Sequence, residues 1–219
     1  MRPELIIFDC DGVLVDSEPI ACRVDAECLA EIGIDISISE IATRYIGVSA
    51  ADMFADLERL FNRKLPADFG QMLEKRIALA FQNELAAIPG MQSFIQGADC
   101  KICVASGSHP DRIRRALALS GLSDHFGSNV FSATQVARGK PAPDVFLFAA
   151  GRMQVLPSSC VVIEDSITGV TAATSAGMPV VGFTGGQHCG PGHADLLRKA
   201  GATAICADIS SLADIIDGI

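Results

Sequence analysis

Short apolar runs that alternate with amphipathic segments constrain the fold of this chain more than any other feature. Five such runs beyond residue 100 predict strands, and the run LIIF near the start predicts a sixth. The six predicted strands span residues 5–8, 101–105, 129–131, 160–163, 179–183 and 203–206. Four segments with helical spacing centre on residues 112–120, 145–153, 169–176 and 194–199. Because strands that alternate with helices pair in parallel, we predict an α/β fold, a doubly wound parallel sheet with helices on both faces.

Residues 17–87 differ from the rest, because helical spacing dominates them and no segment alternates like a strand. Three helices are predicted there, around residues 20–32, 53–61 and 66–84. We therefore predict an inserted all-α domain of residues 17–87. The α/β core then consists of residues 1–16 and 88–219.

Composition restricts the kinds of partner. The chain has 219 residues, 49% of them hydrophobic, and no apolar run approaches the 18 residues of a membrane helix. The net charge is −9 and lysine and arginine form no cluster, which argues against nucleic acid and acidic membrane surfaces as partners. A small phosphorylated substrate stays compatible with this charge, since a local cation can reverse a local field. No signal peptide is recognised, and we expect a monomer.

The eight cysteines do not predict a disulfide framework, because a chain of this size and apolar content hardly needs one. Only Cys100 and Cys103 form a C-x-x-C pair, beside an apolar segment and without a second pair at zinc-finger spacing. We interpret the cysteines as buried free thiols and expect a reducing, cytoplasmic setting.

Two aspartates follow the first predicted strand. Asp9 and Asp11 are two residues apart and precede Gly12, which allows the backbone to turn away. Their side chains project in the same general direction, because side chains alternate along a strand. Like charges at close range repel unless a cation or a shared proton relieves them. The pair therefore indicates a site rather than a helix cap.

A hydroxyl-rich segment follows the predicted strand at residues 101–105. Ser106, Gly107 and Ser108 precede a helix that begins near Pro110. Hydroxyls and free backbone amides at a helix start can bind an oxyanion. On its own this signal is weak, since a serine before a helix is usually a cap.

Two more segments place charges on fixed positions. Lys140 lies between Gly139 and a pair of prolines, which stiffen the loop before the next helix. Glu164 and Asp165 follow the apolar run of residues 160–163. Oxygen-rich carboxylate sites that keep several waters suit Mg²⁺.

Residues 8–18 (FDCDGVLVDSE) closely resemble the first signature of the haloacid dehalogenase superfamily of phosphatases and phosphomutases, and the other three motifs occur in that family's order. The resemblance implies that Asp9 attacks phosphorus and forms an aspartyl-phosphate. It implies that Asp11 is the general acid and base, that Ser106 binds the transferring phosphoryl group and that Lys140 neutralises both that group and Asp9.

The resemblance also implies Mg²⁺ as the cofactor. Asp9 and Asp165 would be its ligands together with the backbone carbonyl of Asp11, and Glu164 is either a further ligand or a group that fixes the metal's waters. The core would be Rossmann-like, and the helical insertion resembles the family's small cap domain.

Substrate contacts are expected from both parts of the chain. We predict Glu18, Gly107 and Ser108 as substrate-binding residues. Lys75 or Arg76 on the third helix of the insertion would meet a second anion of the substrate, with a solvated helix face as the alternative.

The closest subfamily resemblance is to β-phosphoglucomutase and related sugar-phosphate phosphatases. The mutases have a histidine early in the first cap helix and an arginine just after a Gly-Val-Ser turn, and here those positions are Ala21 and Ala50. We therefore predict a Mg²⁺-dependent phosphatase of a small phosphorylated metabolite, a sugar phosphate in the first place. A phosphomutase is the alternative, followed by a catalytically silent binding relative. A dehalogenase, which needs neither a metal nor an acid/base at Asp11, is disfavoured.

The glycine-rich segment of residues 185–193 follows a predicted strand. It lacks the Gly-Lys-Ser/Thr of a P-loop, and the spacing of its histidines suggests no metal-ligand partners. We predict a flexible loop that can approach the site and whose role the sequence leaves open. His109, beside Ser106, either touches substrate or is an exposed residue at the helix start.

Overall fold

The computed structural model describes residues 2–219, which form two compact units. The first unit comprises the chain up to Asp16 together with Ala86–Ile219, and the second comprises Ser17–Leu85. The sequence placed the insertion at residues 17–87. Each unit is described by itself below.

The first unit contains a six-stranded sheet in which every neighbouring pair is parallel. The strands are β1 Leu5–Phe8, β2 Lys101–Ser106, β3 Val130–Ser132, β4 Cys160–Glu164, β5 Val180–Phe183 and β6 Ala204–Cys206. Their order across the sheet is β3-β2-β1-β4-β5-β6. The strand β1 is central, and its Ile7 lies opposite Cys103 of β2 and Val162 of β4. The predicted doubly wound parallel sheet is confirmed.

Eleven α-helices occur among residues 2–219, four in the second unit and seven in the first. The helices of the second unit are α1 Glu18–Glu31, α2 Ile38–Tyr45, α3 Ala50–Leu60 and α4 Phe69–Glu84. Those of the first unit are α5 Met91–Gln96, α6 Pro110–Leu119, α7 Ser123–Phe126, α8 Asp144–Met153, α9 Ile167–Ser175, α10 His193–Ala200 and α11 Leu212–Asp217. None of them is long and apolar enough to cross a membrane.

Helices cover both faces of the sheet. Leu5 and Ile7 of β1 belong to a buried cluster that includes Phe146 of α8 and Val170 of α9. Phe8 points to the opposite face, where its ring makes edge contacts with the rings of Phe94 in α5 and Phe126 in α7. All four residues of β1 are buried, as expected for a central strand of a parallel sheet.

The second unit has its own hydrophobic core, formed by residues from all four of its helices. The sequence predicted α1, α3 and α4 but missed α2. That helix begins with a capping box in which the Ser37 side chain accepts from the Glu40 amide and Glu40 accepts from the Ser37 amide. The Ser-x-x-Glu spacing was therefore the signal for it.

The four predicted core helices are present, whereas the short helices α5, α7 and α11 were not predicted. They have six, four and six residues, too few for a periodic pattern. All eight cysteines are free thiols, as the sequence predicted, but Cys100 and Cys189 are only partly buried.

Candidate active site

Asp9 and Lys140 meet just beyond the carboxyl end of β1. The Asp9 amide donates to the Ile163 carbonyl of β4 at 3.0 Å, which fixes the backbone at the strand end. Lys140 Nζ donates to Asp9 Oδ1 at 2.6 Å and to Glu164 Oε1 at 2.7 Å. These two bonds join three charges that are 131 and 24 residues apart in the chain.

The ammonium of Lys140 is almost completely enclosed, with 8% of its side chain exposed. It lies 4.9 Å from the ring centroid of Phe146, at the start of α8. Burial lowers the pKa of Lys140, but the negative charges of Asp9 and Glu164 outweigh that effect and hold the pKa above its ordinary value. Lys140 is therefore charged at neutral pH.

Glu164 is fixed through both of its oxygens. Oε1 accepts from Lys140, while Oε2 accepts from the Ser166 amide at 2.8 Å and from the Ser166 hydroxyl at 2.9 Å. Space for the carboxylate exists because residue 169 is glycine: a Cβ there would lie 1.7 Å from Glu164 Oε1. Both oxygens of Glu164 are thus engaged by Lys140 and Ser166, and its role toward a metal or the metal's waters stays a prediction.

Asp9, Glu164 and Asp165 are all buried, and one oxygen from each lies within 4.8 Å of the others. Burial is the main cause that raises the pKa of Asp9, and the nearby Glu164 and Asp165 raise it further while Lys140 lowers it. Burial, followed by Glu164, also raises the pKa of Asp165. Three carboxylates near one ammonium leave an excess of negative charge, and oxygen donors are those that Mg²⁺ prefers. The donor set fits Mg²⁺.

The carboxylate of Asp11 contacts two residues that follow β2. Its Oδ2 accepts from the Ser108 hydroxyl at 2.8 Å, and its Oδ1 lies 3.4 Å from Arg112 Nη2 in the first turn of α6. Arg112 was not among the predicted site residues. The sequence contained a signal for Arg112, because α6 begins in the segment that was predicted to bind an oxyanion.

The segment after β2 is shaped as an open turn. Ser106 is 2% exposed and its hydroxyl accepts from the Ser108 amide at 3.1 Å. The Ser132 hydroxyl donates to the Ser108 carbonyl at 2.6 Å and so ties this turn to the end of β3. A Cβ at Gly107 would have no atom within 4 Å, so the turn leaves space there for another group.

Three of the predicted substrate contacts lie in the second unit. Glu18 is half-buried at the start of α1, and Lys75 and Arg76 are exposed on α4. Arg76 forms an ion pair with Glu31. Their roles toward a substrate stay predictions.

The segment of residues 185–193 was predicted to be a flexible loop whose histidines lack metal-ligand partners, but the structure brings both of those histidines against Asp165. His188 Nε2 lies 2.8 Å from Asp165 Oδ2, and only 2% of the His188 side chain is exposed. His193 Nε2 lies 2.6 Å from the Asp165 carbonyl. Sequence spacing missed these contacts because the segment folds back to the end of β4. His109, in contrast, caps α6 with its side chain 66% exposed.

Comparison with known proteins shows that the chain is similar to one family of hydrolases. A family model described as haloacid dehalogenase-like hydrolase matches residues 3–177. The 6-phosphogluconate phosphatase of Escherichia coli K12 is 29% identical over 192 residues, which are 87% of this chain and 86% of that protein. The β-phosphoglucomutase of Bacillus subtilis 168 is 32% identical over 198 residues, 83% of this chain and 84% of that protein.

Solved structures show the same similarity. A haloacid dehalogenase-like protein of unknown function from Agrobacterium tumefaciens C58 has a TM-score of 0.90 and 36% identity, with 98% of each chain covered. A family hydrolase from Deinococcus radiodurans R1, solved with bound phosphate and sodium, has a TM-score of 0.82 and 32% identity, with 99% of this chain and 96% of that one covered.

Proposed function

This chain belongs to the haloacid dehalogenase-like hydrolases, and from that membership we propose that it is a phosphatase of a small phosphorylated metabolite, in the first place a sugar phosphate. One observation carries the proposal: a buried carboxylate, Asp9, is held against a buried lysine, Lys140, at the end of the central strand. A carboxylate in that setting is oriented for nucleophilic attack. The named phosphatase relative supports phosphoryl transfer as the chemistry.

Asp9 acts as the nucleophile. Its carboxylate oxygen forms a bond to phosphorus while the ester bond between phosphorus and the leaving oxygen breaks, which gives an aspartyl-phosphate. Lys140 favours the charged form of Asp9, against the burial that raises its pKa, and neutralises charge on the phosphoryl oxygens. Glu164, through its bond to Lys140 Nζ, positions that ammonium.

Asp11 acts as the acid and then as the base. When protonated, it donates its proton to the leaving oxygen, and it then takes a proton from the water that attacks the aspartyl-phosphate. Ser108 orients the Asp11 carboxyl. Arg112 lies 3.4 Å from the other oxygen of Asp11 and helps to hold the carboxyl group in place.

The phosphoryl group is placed in the turn of Ser106, Gly107 and Ser108. The open space beside Gly107 supports this placement. Asp9, Asp165 and the Asp11 carbonyl would hold Mg²⁺, which would supply positive charge to offset the acidic site and to polarise the phosphoryl oxygens. The burial and mutual proximity of the carboxylates support this ligand set.

The second unit, Ser17–Leu85, is proposed as a cap that supplies substrate contacts through Glu18 and either Lys75 or Arg76. A phosphatase is favoured over a phosphomutase because Ala21 and Ala50 occupy the positions where mutases have histidine and arginine. The similarity to a β-phosphoglucomutase keeps the mutase as the second candidate. The free thiols support a reducing, cytoplasmic setting, and we propose a monomer.

The test is phosphate release from a panel of sugar phosphates with Mg²⁺, for the native protein, Asp9→Asn and the matched control Asp124→Asn on α7. We expect selective release that Asp9→Asn lowers by at least about 10⁴-fold in kcat/KM and that the control retains. Conversion of β-glucose 1-phosphate to glucose 6-phosphate without net release would establish the mutase instead. Inactivity of the folded native protein in both assays would contradict the proposal.

A further inference from the structure

The segment of residues 185–193, here called the histidine loop, brings three metal-binding side chains together. One donor atom from each of His188, Cys189 and His193 lies within 4.8 Å of the others. A nitrogen of His188, Nε2, is 3.3 Å from Cys189 Sγ, and the two imidazole rings are 5.9 Å apart in an edge-to-face arrangement. All three residues are at least partly enclosed.

Two glycines allow this packing. A Cβ at Gly186 would lie 2.7 Å from the His188 ring, and a Cβ at Gly12 would lie 2.8 Å from the same ring. The backbone therefore approaches the imidazole from two sides, which holds His188 beside Cys189 and leaves it little freedom to turn away.

The donor set differs in kind from that of the acidic site. Two imidazole nitrogens and a sulfur suit Zn²⁺, whereas the carboxylates of Asp9 and Asp165 suit Mg²⁺. Tetrahedral zinc with bonds of about 2.0–2.3 Å places its donors roughly 3.5 Å apart. In the histidine loop the His188 and Cys189 donors are 3.3 Å apart, and no separation among the three donors is larger than 4.8 Å. Side-chain rotations in a loop can supply the remaining change.

We propose that His188, Cys189 and His193 form a second metal site, selective for Zn²⁺ or a cation of similar softness, with Asp165 as the fourth ligand. Asp165 is within reach because its Oδ2 lies 2.8 Å from His188 Nε2. A zinc ion bound there removes Asp165 from the acidic trio. Zinc and magnesium are then antagonists that share one carboxylate, and zinc inhibits the phosphatase. The inhibition rests on the proposed function, while the zinc site does not.

The site is tested by titrating the metal-free native protein with Zn²⁺ in equilibrium dialysis, and with Co²⁺ followed by absorption. We expect about one tightly bound zinc ion per chain and a thiolate-to-cobalt charge-transfer band. Cys189→Ala should abolish the band, and Cys189→Ala and His193→Ala should each weaken zinc binding by more than about tenfold, because loss of an outer partner alone costs that much. Circular dichroism verifies that each variant is folded.

Asp9→Asn separates the two sites. It removes a ligand of the acidic site only, so the zinc affinity and the cobalt band should persist. If instead Asp9→Asn abolishes zinc binding and Cys189→Ala does not, the ion binds to the carboxylates and the proposal is wrong. Absence of the charge-transfer band in the native protein leads to the same conclusion.

Antagonism is measured by repeating the zinc titration at increasing Mg²⁺. The apparent zinc affinity should fall with Mg²⁺, and by linkage the magnesium affinity should fall by the same factor with Zn²⁺. Independent binding would overturn the shared role of Asp165. A folded protein that binds zinc but releases phosphate from no substrate would retain the site and refute the phosphatase.

Discussion

The two units differ in the burial of their ion pairs: within residues 2–219, pairs with both side chains buried occur in the first unit and not in the second. In the first unit, Lys140, Asp9 and Glu164 are buried at strand ends and contact one another directly. In the second unit, Arg76 and Glu31 form an ion pair between helices, but about half of each side chain is exposed. Exposed pairs contribute little to stability, whereas buried charges are retained only where they are paired. Burial thus distinguishes the charged residues of the candidate site from charged residues that are solvated at the surface.

The largest difference between the buried and the exposed ion pairs is expected from Lys140→Met. Asp9 and Glu164 would be left buried without a compensating charge, which should cost about 3–5 kcal/mol of unfolding free energy and abolish activity. The matched control, Arg76→Met, should cost less than about 1 kcal/mol. Urea denaturation of both variants measures the difference. Equal losses of unfolding free energy in the two variants would show that burial does not determine how much an ion pair contributes to stability.

The effect of pH and Mg²⁺ on the acidic site should be smaller. The pKa values of Asp9 and Asp165 are raised in the folded protein, so the folded state binds more protons than the unfolded chain above the ordinary carboxyl pKa of 3.8. Their contribution to stability therefore falls as pH rises from about that value through the raised pKa values. A cation restores stability, by about 2.7 kcal/mol at a hundredfold excess over its Kd.

This dependence is measured as melting temperature between pH 4 and 8, with and without Mg²⁺, for the native protein and Asp165→Asn. The native protein without Mg²⁺ should lose more stability on raising the pH than Asp165→Asn does, and Mg²⁺ should reduce that loss. Identical pH profiles for the two proteins would contradict a raised pKa of Asp165 in the folded state.

The smallest expected effect comes from one methyl group. Gly169→Ala places a Cβ against the Glu164 carboxylate and should destabilise the protein by about 2 kcal/mol while it disturbs Lys140 and lowers kcat. Gly151→Ala on α8 is the control, because a Cβ there meets no atom within 4 Å. That change should instead stabilise by roughly 0.5–1 kcal/mol. Thermal unfolding and kcat of both variants distinguish these outcomes.

The sheet and most of the longer helices follow from local pattern, because burial on both faces demands continuous apolar runs such as residues 5–8 and 160–163. The proximity of the four charged site residues also follows from the topology. Asp9, Glu164 and Asp165 lie at or just after the carboxyl ends of strands, and Lys140 lies in the loop before α8, a helix that packs on the same sheet. These residues are predictable because topology, rather than detailed packing, positions them.

Other residues depend on how a chain turns outside regular elements. Arg112 reaches Asp11 only because α6 starts at Pro110, and His188 reaches Asp165 only because the histidine loop folds back. Ser166 looks like an ordinary helix cap, and its second bond to Glu164 depends on the exact position of that side chain. No periodicity encodes such contacts.

The interruption of the first unit by the second has a consequence for synthesis. The strand β1 leaves the ribosome first, yet its neighbours β2 and β4 begin at residues 101 and 160. Four consecutive apolar residues therefore have no neighbouring strand until residue 101 is made, and no strand on their second side until residue 160 is made. During that interval the central strand is an exposed hydrophobic segment that chaperones can bind. Chains truncated before residue 160 should therefore aggregate rather than fold.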